Sequence, residues 1–166
     1  SMVEDRLYLM DVSQEETFNL VAKRVIHEVA HQYWGHTLSA KPVAGGAVLI
    51  EGFAKYTEAV VMEKMYGKRA VYALSENARR RYFSGRSFAT DLEPPVYKVH
   101  GQGYISYGKA LNVMLALRDL IGEEQVNREL KKITDIYRNS ATLEANTIEF
   151  LDLVYKLQLK HRGQFV

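Results

Sequence analysis

Residues 27–31 carry two histidines and a glutamate whose types and spacing fit a metal-dependent hydrolase. The segment is His-Glu-Val-Ala-His, an H-E-x-x-H pattern. Residues four apart lie on one face of a helix, so His27 and His31 can reach one metal ion. Glu28 then lies beside that ion, where its carboxylate can serve as a base toward water. The alternative is a pair of structural, partly buried histidines beside a surface glutamate.

A third ligand is expected farther along the chain, because a catalytic zinc usually takes three protein ligands. The distance of His36 from His31 does not fit the H-E-x-x-H-x-x-G-x-x-H pattern. Glu51 is the better candidate, since it follows a glycine-containing segment long enough to reverse the chain. Glu58 lies about two helical turns further on the same face. It is either an outer acceptor that fixes one imidazole tautomer or a surface carboxylate paired with a lysine.

The elements that must position these residues are predicted to be helices. Apolar residues recur at helical spacing, and residues 13–16 and 146–149 have the form of capping boxes. The predicted helices cover residues 14–34, 47–66, 68–84, 106–121, 123–137 and 146–159, with an ordered loop over 91–103. Evidence for β structure is confined to residues 7–10. The sequence therefore predicts a mainly α fold with at most a small β remnant at the N-terminus.

Composition limits the class of protein and the kind of metal site. The chain has 166 residues, of which 47% are hydrophobic and 25% charged, as in one globular domain. It has no cysteine, so any metal must be held by imidazole and carboxylate groups. A net charge of +2 gives no sign of a nucleic-acid partner, and the basic run 79–81 is predicted to lie on a solvated helix face. The longest apolar stretches, 42–50 and 110–117, are too short to insert into a membrane.

Three segments carry a family resemblance. Residues 25–35 are similar to an H-E-x-x-H-x-W-x-G helix with its aromatic residues offset. Residues 51–58 are similar to E-G-F-A-x-Y-x-E, and residues 105–110 resemble I-S-Y-x-K-G-A. Together they span most of residues 14–120. The chain thus resembles the zinc aminopeptidases of the aminopeptidase N type, which belong to the gluzincin metallopeptidases.

The resemblance implies a site and a reaction. One Zn²⁺ would be bound by His27, His31 and Glu51. Glu28 would act as general base and then as acid toward the leaving amine, and the Tyr107 hydroxyl would stabilise the developing oxyanion. The substrate would be a peptide. Tyr104 and His100 are nearby in the sequence and are alternatives to Tyr107 for a role in the cleft.

The resemblance also implies a domain plan. Residues 1–166 would form a single helical metallopeptidase-like domain, the thermolysin-like helical part of a gluzincin catalytic domain with additional helices. The zinc-site helices would cover about 14–67, the tyrosine helix about 104–121 and the C-terminal helices about 123–159. We expect the chain to be part of a longer protein whose remainder completes the active-site cleft.

Departures from the family pattern leave several functions open. Nineteen residues separate His31 from Glu51, one more than in the pattern, and no G-x-M-E-N motif for the substrate amino group precedes His27. Exopeptidase and endopeptidase activity therefore both remain open. Alternatives are a catalytically impaired domain that binds zinc or peptides without efficient cleavage, and a purely helical interaction domain. The chain would be cytoplasmic or a soluble domain of a bacterial-type membrane protein, such as one linked to a transporter.

Overall fold

The chain folds into packed helices, as predicted. The computed structural model describes residues 15–138 and residues 145, 151, 152 and 155. The α-helices over residues 15–138 are α1 (Glu15–Ala30), α2 (Phe53–Tyr66), α3 (Lys68–Phe88), α4 (Ala110–Ile121) and α5 (Glu123–Tyr137). The predicted β remnant lies outside the described residues, as do residues 13 and 14 of the first capping box and most of the predicted last helix. None of the helices in the described part is long and apolar enough to cross a membrane.

Two predicted helix ends were wrong. α1 ends at Ala30, four residues before the predicted end, because the chain tightens into i to i−3 hydrogen bonds that end at Tyr33. It then turns at Gly35, whose φ of 125° is a conformation that favours glycine. α3 instead runs on to Phe88, past Gly85. Gly85 lies inside this helix, and its backbone is so close to Tyr104 that a Cβ atom at this position would have no space.

Two helices begin with π-helical turns where plain α-helix was predicted. The first turn (Val48–Gly52) precedes α2, and the second (Tyr104–Lys109) precedes α4. They pack against each other at Gly52, where an added Cβ would lie 3.6 Å from the carbonyl oxygen of Ser106 in the second turn and 3.0 Å from the Cβ of Ala110, the first residue of α4. This close approach brings Glu51 on the first turn and Tyr107 on the second to one place in the fold.

The hydrophobic core anchors the elements that carry these residues. α2 contributes fully buried residues to a cluster shared with the other helices. A smaller cluster lies beneath the π-helical turns and consists of Val48, Val99, Ile105 and Ala110. Both turns are therefore held by apolar packing on their inner sides.

Candidate active site

Three of the predicted site residues converge on one point between α1 and the first π-helical turn. The Nε2 atoms of His27 and His31 are 3.2 Å apart. The Oε2 atom of Glu51 lies 3.3 Å from the Nε2 of His27 and 3.4 Å from that of His31. Of the described histidines and acidic residues, these three form a group that could hold a metal ion.

The ring of His31 is held by a backbone carbonyl. Its Nδ1 atom is 3.0 Å from the carbonyl oxygen of Trp34. A carbonyl can only accept a hydrogen bond, so Nδ1 carries the proton and the lone pair of Nε2 points to the cluster. Trp34 is itself fixed, because its indole donates to the Thr57 hydroxyl at 2.8 Å and its ring packs edge-on against Phe53.

The ring of His27 is held from its other side by α2. Its Nδ1 atom lies 3.3 Å from Oε2 of Glu58, and the Nζ of Lys55 lies 2.6 Å from the same oxygen. Glu58 is only 1% exposed, so the surface alternative for this residue is wrong, while the expected lysine partner is present. A carboxylate in this position orients the imidazole and leaves its Nε2 free for a metal.

The cluster fits a zinc ion. His31 Nδ1 has the Trp34 carbonyl as its hydrogen-bond acceptor, whereas His27 Nδ1 lies 3.3 Å from Glu58 Oε2 without hydrogen-bond geometry. When each Nδ1 carries its proton, both Nε2 atoms and Glu51 Oε2 present lone pairs to one another. Glu51 Oε2 is buried and has no hydrogen-bond partner among the described residues, as expected for an atom whose partner is a cation. Tetrahedral zinc with bonds of about 2.0–2.1 Å places neighbouring ligand atoms about 3.3–3.4 Å apart. The observed separations of 3.2, 3.3 and 3.4 Å match that geometry.

Electrostatic interactions within the site favour charged carboxylates. Burial would raise the pKa of Glu51, but contacts with His27 and Tyr107 outweigh it and hold the pKa below its usual value. The pKa of Glu58 is likewise lowered, because His27 and Lys55 outweigh its burial. Burial would lower the pKa of His27, and the two neighbouring carboxylates raise it instead. These shifts describe a site with excess negative charge around its histidines, which suits a divalent cation.

Glu28 and Tyr107 flank the cluster. Glu28 is partly exposed on α1, with its Oε1 3.7 Å from a guanidinium nitrogen of Arg24. The ring of Tyr107 lies 6.1 Å from the His27 ring, centroid to centroid. Burial raises the pKa of Tyr107 above its usual value, and so do the contact with Glu51 and the nearby charge of Glu28. The phenol therefore keeps its proton at neutral pH and can donate a hydrogen bond.

Other sequence candidates lie elsewhere. His36 is exposed and is not in the three-residue metal group. The ring of Tyr104 packs near that of Tyr82, 6.2 Å away, against α3. His100 is exposed, and its backbone amide donates to the Gln102 side chain. Sequence reasoning missed the Trp34 carbonyl, which has no signal in residue type.

A comparison with protein-family models identifies the family of this chain. Residues 1–162 match the Peptidase family M1 domain. No curated protein and no solved structure matches the chain. The family is zinc-dependent, and the imidazole and carboxylate groups of the cluster are suitable zinc ligands. Because the match covers nearly the whole chain, and the mainly helical fold is that of a helical part of the catalytic domain, the protein belongs to peptidase family M1.

Proposed function

We propose that this chain hydrolyses peptide bonds in a zinc-dependent reaction of the aminopeptidase type. The observation that carries the proposal is the convergence of His27, His31 and Glu51, whose facing atoms lie 3.2–3.4 Å apart. These three residues would hold one Zn²⁺. When bound, the ion supplies Lewis-acid polarisation of water and of the substrate carbonyl.

Glu28 is the proposed general base. It follows His27 directly on α1, and its negative charge helps to raise the pKa of Tyr107. Its carboxylate takes a proton from the attacking water and then delivers it to the nitrogen of the leaving amine. This assignment needs a carboxylate that is accessible to solvent and substrate, and the Glu28 side chain is 23% exposed.

Tyr107 is the proposed oxyanion donor. Its hydroxyl is close enough to the Glu51 carboxylate for that carboxylate to raise the pKa of Tyr107, and the Tyr107 ring lies 6.1 Å from the His27 ring, so the phenol is near the place where the substrate carbonyl would bind. As negative charge develops on that oxygen, the phenol donates a hydrogen bond to it. The raised pKa of Tyr107 keeps this donor protonated at neutral pH.

The first experiment tests the metal and the base. Zinc-loaded wild-type protein should contain one zinc per chain and hydrolyse aminoacyl chromogenic substrates. Glu28→Gln should retain the zinc but lose about 10²-fold or more in turnover. Glu124→Gln is the matched control, because Glu124 is 90% exposed on α5. Absence of stoichiometric zinc would refute the site, and unchanged turnover of Glu28→Gln would refute the base.

The second experiment tests the aminopeptidase type. A peptide with a free α-amino group and its N-acetylated form are compared as substrates. Cleavage of the first alone supports the proposal. Equal cleavage of both contradicts aminopeptidase activity while leaving peptide hydrolysis in place.

A further inference from the structure

Arg81 of α3 lies over the ring of Tyr107. Its guanidinium carbon is 4.4 Å from the ring centroid, within the range of a cation–π contact. The side chain passes Gly103, where an added Cβ would lie 3.7 Å from Nη2 of Arg81. A residue from the predicted solvated run thus reaches the border of the candidate active site.

The N–H donors of the Arg81 guanidinium have no acceptor among the described residues. Arg81 is exposed, and it has no ion pair or hydrogen bond to any of the described residues. Its neighbour Arg79 differs, because it makes two hydrogen bonds to Glu76, at 3.0 and 2.7 Å. A guanidinium carries five N–H donors in a planar fork that matches a carboxylate. Arg81 is therefore fixed by an aromatic ring while its polar edge stays available to a ligand.

We propose that Arg81 binds the C-terminal carboxylate of a short peptide whose scissile carbonyl lies at Tyr107. The inference rests on the proposed function and names its substrate class. A cation repels the substrate's α-ammonium group and attracts a carboxylate, so Arg81 belongs to the side of the leaving amine. An extended peptide advances about 3.3–3.6 Å per residue. Since the guanidinium is 4.4 Å from the centre of the Tyr107 ring, the carboxylate lies one or two residues beyond the cleaved bond.

The substrates that follow are dipeptides and tripeptides with a free C-terminus. In a longer peptide, an uncharged amide occupies the position of the carboxylate, and the charge-assisted hydrogen bonds are lost. With a dipeptide or tripeptide, Arg81 would bind the carboxylate equally in the ground state and in the transition state. Its loss should appear mainly in KM.

The test compares trialanine with trialanine amide, using the zinc-loaded full chain. The wild-type protein should prefer the acid by about tenfold or more in kcat/KM, because hydrogen bonds to charged groups contribute on that scale. Arg81→Gln should abolish the preference, chiefly by raising KM for the acid. Arg80→Gln is the matched control, since Arg80 is exposed in the same run, and it should keep the preference.

Three outcomes would overturn the proposal. One is equal kcat/KM for acid and amide in the wild type. Another is an equal fall of kcat for both substrates in Arg81→Gln, which would make Arg81 a positioning residue for Tyr107. A third is that an amidated peptide with a glutamate side chain is cleaved as well as the peptide acid, which would show that Arg81 recognises an acidic side chain and not the C-terminal carboxylate.

A binding measurement separates this proposal from the proposed function. If the wild-type chain cleaves neither substrate, peptide hydrolysis is refuted, and equilibrium titration with the same two peptides still tests Arg81. Tighter binding of the acid that disappears in Arg81→Gln supports the carboxylate site. Equal Kd values for acid and amide refute it.

Discussion

Substitution of Gly85 by alanine should disturb the segment that carries Tyr107. A Cβ atom at position 85 would lie 2.2 Å from the Cβ of Tyr104 and 2.5 Å from its Cγ. Carbon atoms in contact are about 3.5–4.0 Å apart, so α3 and the second π-helical turn must separate by more than about 1 Å. Tyr107 lies three residues farther along that turn, and its hydroxyl moves with it.

The expected magnitude follows from two opposing terms. Alanine gains about 1 kcal/mol over glycine in a helix interior, whereas overpacking a tight contact costs about 1–3 kcal/mol. The net loss of about 1 kcal/mol should lower Tm by about 2–4 °C in a chain of this size. Activity is the more sensitive measure, since misplacing a catalytic group by about 1 Å can cost about 10²-fold. We expect kcat/KM to fall tenfold or more, as an order of magnitude.

Thermal unfolding and peptidase assays check the prediction together. Ser84→Ala is the matched control, because Ser84 is an exposed neighbour of Gly85 in α3 and the substitution adds no atom to the contact. The control should stay within about 0.5 kcal/mol of the wild type. If Gly85→Ala is as stable and as active as the control, the close contact between α3 and the π-helical turn does not position Tyr107.

Three further predictions concern the metal, its outer support and the acid limit of stability. Free zinc at 100 times its Kd should add about 2.7 kcal/mol to the free energy of unfolding and raise Tm by about 5–10 °C. Glu51→Gln should reduce this shift in Tm. An unchanged shift would contradict the role of Glu51 as a ligand. Glu58→Ala removes the acceptor that orients His27 and should weaken zinc binding about 10- to 100-fold in a competition titration; unaltered affinity would show that this carboxylate is dispensable. Lys109 donates to Glu93 and holds the pKa of that carboxyl below its usual 4.5, so its contribution to stability is present above pH 4.5 and is lost as the pH falls through the lowered pKa. The gap in unfolding free energy between wild type and Glu93→Gln should therefore shrink from pH 7 to acid pH in urea titrations, and a constant gap would contradict this.

Local spacing explains why the metal cluster could be predicted from the sequence. His27 and His31 share a helix face by their separation alone, and the predicted helix after the glycine-containing segment was sufficient to nominate Glu51. Tyr107 needed the family resemblance, since tyrosine is common in this chain and its spacing carries no mechanism. The clustering of the first three is now visible in distances, while the catalytic roles remain predictions.

Contacts between elements explain what could not be predicted. The support of His31 comes from the carbonyl of Trp34, and every residue has a carbonyl, so residue type gives no signal. The position of Arg81 depends on which face of α3 packs against the second π-helical turn. Gly85 and Gly108 allow this face of α3 to approach the turn closely, since an added Cβ would lie 2.2 Å and 2.8 Å, respectively, from atoms of the neighbouring segment. Charge patterning therefore predicted the exposure of Arg81 but gave no sign of its contact with Tyr107.

The segment between α1 and the first π-helical turn explains how a longer spacing can keep the same site. The interval between His31 and Glu51 has one residue more than the family pattern. Residues 31–45 are not helical, so an extra residue there does not rotate Glu51 about a helix axis, as it would by about 100° within a continuous α-helix. The Glu51 carboxylate is 3.3–3.4 Å from both imidazoles. Deleting one residue from this segment should therefore preserve zinc binding in a zinc titration, whereas deleting one residue of α2 before Glu58 should rotate Glu58 away from His27 and weaken zinc binding.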